Sequence, residues 1–239
     1  MSYASLLNEL RLARELVSAL VDTLTDADSR TQYHPDLSPP GWHLGHCAFT
    51  ESAWLQATIC KDDRLTQPFA ALYTPTETPR HERGAMLPAL ETLLAWSKGL
   101  QSVNDDLLES RPPQLMNHPL MQDNYLLHFL IQHYCQHYES LLMVLAQRAI
   151  LSTTGDFEVG SPLVAQQPAP ERVTVEPGDY KVGGCAPIAY DNELPTLQAT
   201  LGPYSISRRA LSNSEYLAFM QAGGYQRREL WSDAGWRWQ

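Results

Sequence analysis

Leu6, Leu10, Ala13, Val17, Leu20, Val21 and Leu24 recur at intervals of three and four, with Glu9, Arg11, Arg14 and Glu15 mostly on the other side. That spacing lines one face of a helix with apolar side chains. The chain therefore opens with an amphipathic helix. A second helix is expected where Ser38 can cap and Pro39 and Pro40 can fill the first turn, running through Trp42, His46, Phe49 and Trp54 to about Cys60. A third starts near Pro88, carries Leu90, Leu93, Leu94, Ser97 and Leu100, and is stopped by Arg111-Pro112-Pro113, since proline cannot continue a helix interior. The fourth and longest spans about Pro119 to about Leu151. Four such helices of alternating direction make an up-down bundle.

Beyond the bundle the pattern changes. Residues 152–172 are rich in Gly, Ser, Pro and Gln and have no period, which reads as a linker. From Val173 to Val182 polar and apolar positions alternate up to Gly183-Gly184, a strand followed by a turn. Tyr204-Ser205-Ile206 reads as another short strand. Ser212-Asn-Ser-Glu215 is a capping box for a short helix bearing Tyr216, Leu217, Phe219 and Met220, ended at Gly223-Gly224. Trp231, Trp236 and Trp238 crowd the last nine residues, large aromatics with no following elements to bury them, so an incomplete domain is expected. The predicted organisation is mainly α: a bundle over residues 1–151, a linker over 152–172 and a partial α+β domain over 173–239.

The formal charge of −10 and the lack of any run of Lys or Arg argue against nucleic acid or an anionic membrane as partner, because both are bound through clustered cations. Small molecules are the expected ligands. No stretch reaches the roughly 20 apolar residues of a membrane span, and the first nine residues lack a signal-peptide pattern, so a cytoplasmic location is expected. Cys47, Cys60, Cys135 and Cys185 show no C-x-x-C spacing; neither a disulfide framework nor a zinc ribbon is indicated. Cys47 and Cys135 read as small buried apolar residues.

The chemistry lies in the histidines. His133 and His137 stand at i and i+4, about 5–6 Å apart at Cβ on a helix, close enough to share one metal ion. They sit between Leu126, Leu127, Phe129, Leu130, Ile131 and the run Leu141–Leu145, a setting apolar enough to bury them, and buried imidazoles need partners. A third ligand can come from a facing helix, and His46 near the start of the second helix is placed to meet the pair. Three neutral imidazoles leave positions free for substrate or oxygen, the mark of a catalytic rather than a structural site. The spacing does not choose among zinc, nickel and iron.

Ser38-Pro-Pro-Gly-Trp-His-Leu-Gly-His46, the His133-x-x-x-His137 pair, Asp191-Asn-Glu193, Gly223-Gly-Tyr225 and Leu230-Trp-Ser-x-x-Gly-Trp236 together resemble the non-haem iron sulfoxide synthases of ergothioneine biosynthesis. These join a DinB-like helical bundle to a domain like the formylglycine-generating enzyme. The resemblance covers nearly the whole chain. It implies Fe(II) held by His46, His133 and His137. It also implies that Arg80 and Arg83 grip the carboxylates of the thiol substrate, and that Gln136 contacts the bound histidine derivative through solvent. An Arg-x-x-Arg pair in a loop between Pro79 and Pro88 offers two planar donor forks for such a task. His43 is a weaker candidate for a fourth ligand. The family's proton-donating tyrosine is expected beyond Gln239, so no catalytic residue is assigned.

The implied reaction joins a cysteine-type thiol to the imidazole of trimethylhistidine, a histidine betaine, with O2 as oxidant and a sulfoxide as product. Trp42, Trp54 or Tyr73 could supply an aromatic wall for the quaternary ammonium. The stretch from Tyr73 to Arg83 lacks the asparagine and paired tyrosines expected before the arginines, which leaves open a relative using another sulfur or selenium donor, of the selenoneine or ovothiol type. A DinB-like metal-binding thiol transferase and an inactive remnant also stay open.

Overall fold

The computed structural model describes residues 2–152 and 171–239, which divide into two compact units. The first is helical. α1 (Tyr3–Asp22) is capped by Ser2, whose hydroxyl accepts from the Ser5 amide, and α2 (Asp26–Arg30) is capped by Thr25. α3 (Pro40–Ser52) opens on proline, whose missing N–H is no loss at a helix start, and continues into a π-helical stretch, Ala53–Ile59. Then come the short α4 (Ala70–Tyr73) and α5 (Arg80–Met86), the long α6 (Leu90–Ser110), a single turn α7 (Pro113–Met116) and the long α8 (Tyr125–Ser152). α1, α3, α6 and α8 are the four helices expected from the pattern. α1 packs on α8, α3 and α6, and α3 packs on α6 and α8. Their facing stripes meet in a core that includes Leu6, Leu10, Val17, Leu44, Leu93, Leu108, Leu127, Leu130 and Leu141, all at most 1% exposed. Each such side chain contributes about 1.5–3 kcal/mol relative to exposure.

Three details depart from the sequence pattern. α8 starts at Tyr125 rather than near Pro119, because Asp123 and Asn124 adopt positive φ (52° and 59°) and a 3₁₀ stretch precedes them. Arg80 to Met86 is a helix rather than a loop. Arg14, expected on the polar face of α1, is 3% exposed. Its guanidinium grips Glu51 of α3 at 2.9 and 2.7 Å and Asp105 of α6 at 2.7 Å. Glu51 also accepts from the Tyr134 hydroxyl of α8 at 2.9 Å and from Asn104 at 2.7 Å. This network ties all four long helices together. Burial alone would lower the basicity of Arg14; the Glu51 charge and hydrogen bonds outweigh it, and the net effect is upward.

The second unit holds a nested pair of antiparallel ladders. β1 (Arg172–Val175) pairs with β4 (Tyr204–Ser207) in the register Arg172 to Ser207, and β2 (Gly178–Val182) pairs with β3 (Leu197–Leu201) in the register Gly178 to Leu201. The predicted single strand is therefore two, split at Glu176-Pro177, where proline has no N–H for a ladder. α9 (Asn213–Gln221) starts at the predicted capping box and ends before Gly223 in the left-handed conformation. Around it Phe219, Tyr225 and Trp231 form an aromatic cluster, and the Trp231 indole donates to the Gly224 carbonyl at 2.9 Å. α10 (Asp233–Trp238) follows, and Trp238 is 81% exposed.

The connection from β2 to β3, Gly183–Thr196, groups with the helical unit, and Gln132 of α8 donates to the Ile188 carbonyl at 2.6 Å. Most of the expected linker, residues 153–170, lies outside the described residues. Among the described residues no helix is long and apolar enough to cross a membrane.

Candidate metal centre

α3 and α8 carry the histidines to one point in the bundle. One nitrogen from each of His46, His133 and His137 can be chosen so that all three lie within 4.8 Å of one another. His46 Nε2 and His133 Nε2 are 3.2 Å apart, about the separation of two nitrogens each held roughly 2.1 Å from one ion. Two such bonds span at most about 4.2 Å. The widest separation in the group, up to 4.8 Å, exceeds that span, so the third imidazole has to turn inward before all three can share one ion.

The rings are held from outside. His46 Nδ1 donates to the Tyr73 carbonyl at 2.7 Å, which leaves Nε2 free of its hydrogen, the usual arrangement for a ligating histidine. Trp42 stacks on His46 with ring centroids 4.6 Å apart and planes 8° from parallel, and its own indole donates to the Leu72 carbonyl at 2.8 Å. The Tyr73 ring lies against the α3 backbone at Gly45, where a Cβ would come within 2.2 Å of it. Only glycine admits that approach. His43, one turn before His46, places its Nδ1 2.8 Å from Nδ1 of His137. Phe129 stacks near His133, with centroids 5.9 Å apart.

Burial keeps every ring neutral. It pushes His43 down to about 3, His46 to about 4 and His133 to about 3, and it holds His137 well below the ordinary histidine range. The Arg83 charge adds to the depression at His43 and His46. Neutral imidazole is the form that binds metal. Nδ1 of His133 is buried with no hydrogen-bond partner, and its Nε2 is the nitrogen turned toward His46. The donor set fits a divalent transition metal: three nitrogens and, among the described residues, no carboxylate or thiolate in the cluster.

The other candidate residues divide. Gln136 is exposed and lines a cavity of about 560 Å³ beside His133, whose walls also include Tyr125, Phe129, Gln132, Tyr190 and Asn192. Arg80 is exposed at the start of α5. Arg83 is 4% exposed and each of its nitrogens makes one hydrogen bond: Nε with the Thr78 carbonyl at 3.0 Å, Nη1 with Ser38 Oγ at 2.6 Å and Nη2 with the Pro75 carbonyl at 2.7 Å. Its guanidinium lies 4.0 Å over the Trp42 ring. These contacts hold the Pro75–Thr78 turn and seat the guanidinium on Trp42. Trp42 and Tyr73 are buried, whereas Trp54 is half-buried and packs edge-on against Phe129. Cys47 is buried as expected, but Cys135 is exposed.

The sequence pattern missed the Tyr73 carbonyl and the Arg14–Glu51 network. No side-chain motif announces a carbonyl partner. Arg14 does fall on the apolar stripe, four residues after Leu10 and three before Val17, and that position was its signal.

Residues 9–141 match the DinB superfamily, and residues 160–239 match the sulfatase-modifying factor enzyme 1-like domain. The chain is 30% identical to a hercynine oxygenase of Mycolicibacterium thermoresistibile, covering 95% of this chain and 52% of that protein. It is 30% identical to the hercynine oxygenase of Mycolicibacterium smegmatis, covering 97% and 54%, and 29% identical to that of Mycobacterium tuberculosis, covering 95% and 53%. The chain thus spans about half the length of the curated relatives it matches.

Proposed function

Because this chain belongs to the DinB superfamily and continues into a sulfatase-modifying-factor-like region shared with hercynine oxygenases, we propose that it functions as a non-haem iron, oxygen-dependent sulfoxide synthase. The proposed substrates are trimethylhistidine, a cysteine-type thiol and O2. The observation that carries this reading is the convergence of His46, His133 and His137 from two helices, in a chain similar over nearly its full length to enzymes named for hercynine. Its proposed organisation is the bundle of residues 1–151, a linker over 152–172 and the sulfatase-modifying-factor-like part over 173–239.

In this reading His46, His133 and His137 hold Fe(II). When bound, ferrous iron supplies the redox chemistry that carbon–sulfur bond formation and oxidation by O2 require. The protein's part is to bind, orient and exclude water. Three neutral ligands leave the full metal charge available to favour a thiolate. The cavity beside His133 has the volume of a small-molecule site, and its Tyr125 and Phe129 faces suit a quaternary ammonium. Gln136, which lines that cavity, is proposed to contact the histidine derivative through solvent, and the exposed Arg80 to meet a carboxylate of the thiol. Arg83 keeps Trp42 flat against His46.

Anaerobic reconstitution with ferrous iron, followed by oxygen uptake on adding trimethylhistidine with cysteine-type thiols, tests the proposal. Uptake that needs both substrates supports it. Iron binding with no uptake under any pairing would remove the synthase and favour a DinB-like metal-binding thiol transferase.

A further inference from the structure

We propose that His43 is a positioning residue for the metal centre: through its contact with His137 it fixes which nitrogen of that ligand faces the ion. The inference rests on the three-histidine reading above. Ligating histidines usually offer their second nitrogen to a carboxylate or a backbone carbonyl. His46 follows that rule through Tyr73, whereas His137 has another histidine in that place, with the two Nδ1 atoms 2.8 Å apart.

At that distance one nitrogen carries the hydrogen and the other accepts it. A hydrogen on His137 Nδ1 leaves Nε2 of that ring bare for a metal. His43 then accepts on Nδ1 and keeps its own hydrogen on Nε2. The reverse assignment would put the hydrogen of neutral His137 on Nε2 and block it as a ligand. His43 is itself absent from the group of nitrogens that converge, and it is 5% exposed, so water does not compete for the contact. The ring is fixed by α3, one turn ahead of His46, and by Trp42, which meets it edge-on at 5.6 Å. One helix thus provides both a ligand and the group that orients a ligand on α8.

The test compares His43→Leu, His43→Asn and His43→Gln by Co(II) titration with absorption spectroscopy. The Asn side chain reaches about as far as Nδ1, and the Gln side chain about as far as Nε2. Loss of an outer partner of a metal ligand typically costs 10–100-fold in metal affinity. His43→Leu and His43→Gln are expected to show that loss. His43→Asn is expected to stay within about threefold of the parent and to keep its spectrum. Circular dichroism of the metal-free variants identifies any that fail to fold, and if His43→Leu is one of them the Asn and Gln pair decides. Unchanged affinity in all folded variants would overturn the proposal. So would an equal loss in all of them accompanied by a new Co(II) spectrum, which would make His43 a ligand. Nitrogen-15 NMR of the histidine rings gives a separate readout: hydrogen on His137 Nδ1 is expected in the metal-free and Zn(II)-loaded protein, and hydrogen on Nε2 would overturn it. Because the metal-free ring can be read alone, failure of this inference is distinguishable from failure to bind metal or to consume oxygen.

Discussion

Two buried polar clusters share the seam between α3 and α8, and they differ in whether a charge is matched at their centre. Around Glu51, the charge of Arg14, the Tyr134 hydroxyl and the Asn104 amide all find partners within 2.9 Å. Around His46, one turn earlier on α3, neutral rings face one another and His133 Nδ1 has no partner. A network of matched charges specifies packing, whereas neutral imidazoles facing one another offer lone pairs that a cation can take up. Adjacent residues of α8, His133 and Tyr134, belong to different clusters because they leave the helix in different directions.

The contrast can be broken most forcefully from the charged side. Glu51→Leu leaves Arg14 buried with Asp105 as its remaining ion-pair partner, and a loss of about 3 kcal/mol in denaturant unfolding is expected, the low end for a broken buried pair because Asp105 remains. A loss below about 1 kcal/mol would show that the cluster does not hold the helices. On the neutral side, His133→Leu is expected to weaken Co(II) or Fe(II) binding at least about 100-fold, or about 2.7 kcal/mol. The metal-free chain should stay within about 1 kcal/mol of the parent, since the ring removed carries an unpartnered nitrogen. Equal destabilisation of the metal-free protein would make that histidine structural.

Tyr134→Phe sharpens the distinction further. Removing one hydrogen bond to the Glu51 carboxylate should cost about 1.5 kcal/mol, with Co(II) affinity unchanged; a parallel fall in affinity would show that the clusters are coupled. The contrast also has a pH dependence. His43, His46 and His133 have folded values near 3 to 4 against an ordinary value of 6.5. Between these limits the unfolded chain binds more protons than the folded one, so stability rises with pH across that window and is flat above it. Melting of the metal-free protein from pH 4 to pH 8 measures this, and His133→Leu should flatten the slope.

The long helices were legible because their apolar stripes are continuous, and the His133 and His137 pair was legible because its spacing is local to one helix. His46 could be added because Pro39 and Pro40 fix where α3 begins. The rest was hidden for separate reasons. Arg83 reads in the sequence as half of a carboxylate-gripping pair, and its partners in the fold are carbonyls and a hydroxyl in turns whose shape no residue type announces. β3 spans Leu197–Leu201 with only Leu197 and Leu201 as strong apolar residues, and its partner β2 lies across a long insertion. α8 lost its predicted first turn because Asp123 and Asn124 adopt left-handed conformations, which these residue types tolerate but do not require.

Gly45 gives the motif around His46 a mechanical sense. A methyl group there would wedge the Tyr73 ring away from the helix, and the carbonyl that steadies the imidazole belongs to that same tyrosine. The smallest residue in the stretch thus acts as a seat: its emptiness lets the end of α4 rest on α3, where the Tyr73 carbonyl fixes the angle of the His46 ring. Tuning the metal centre through that seat would need no change to any histidine.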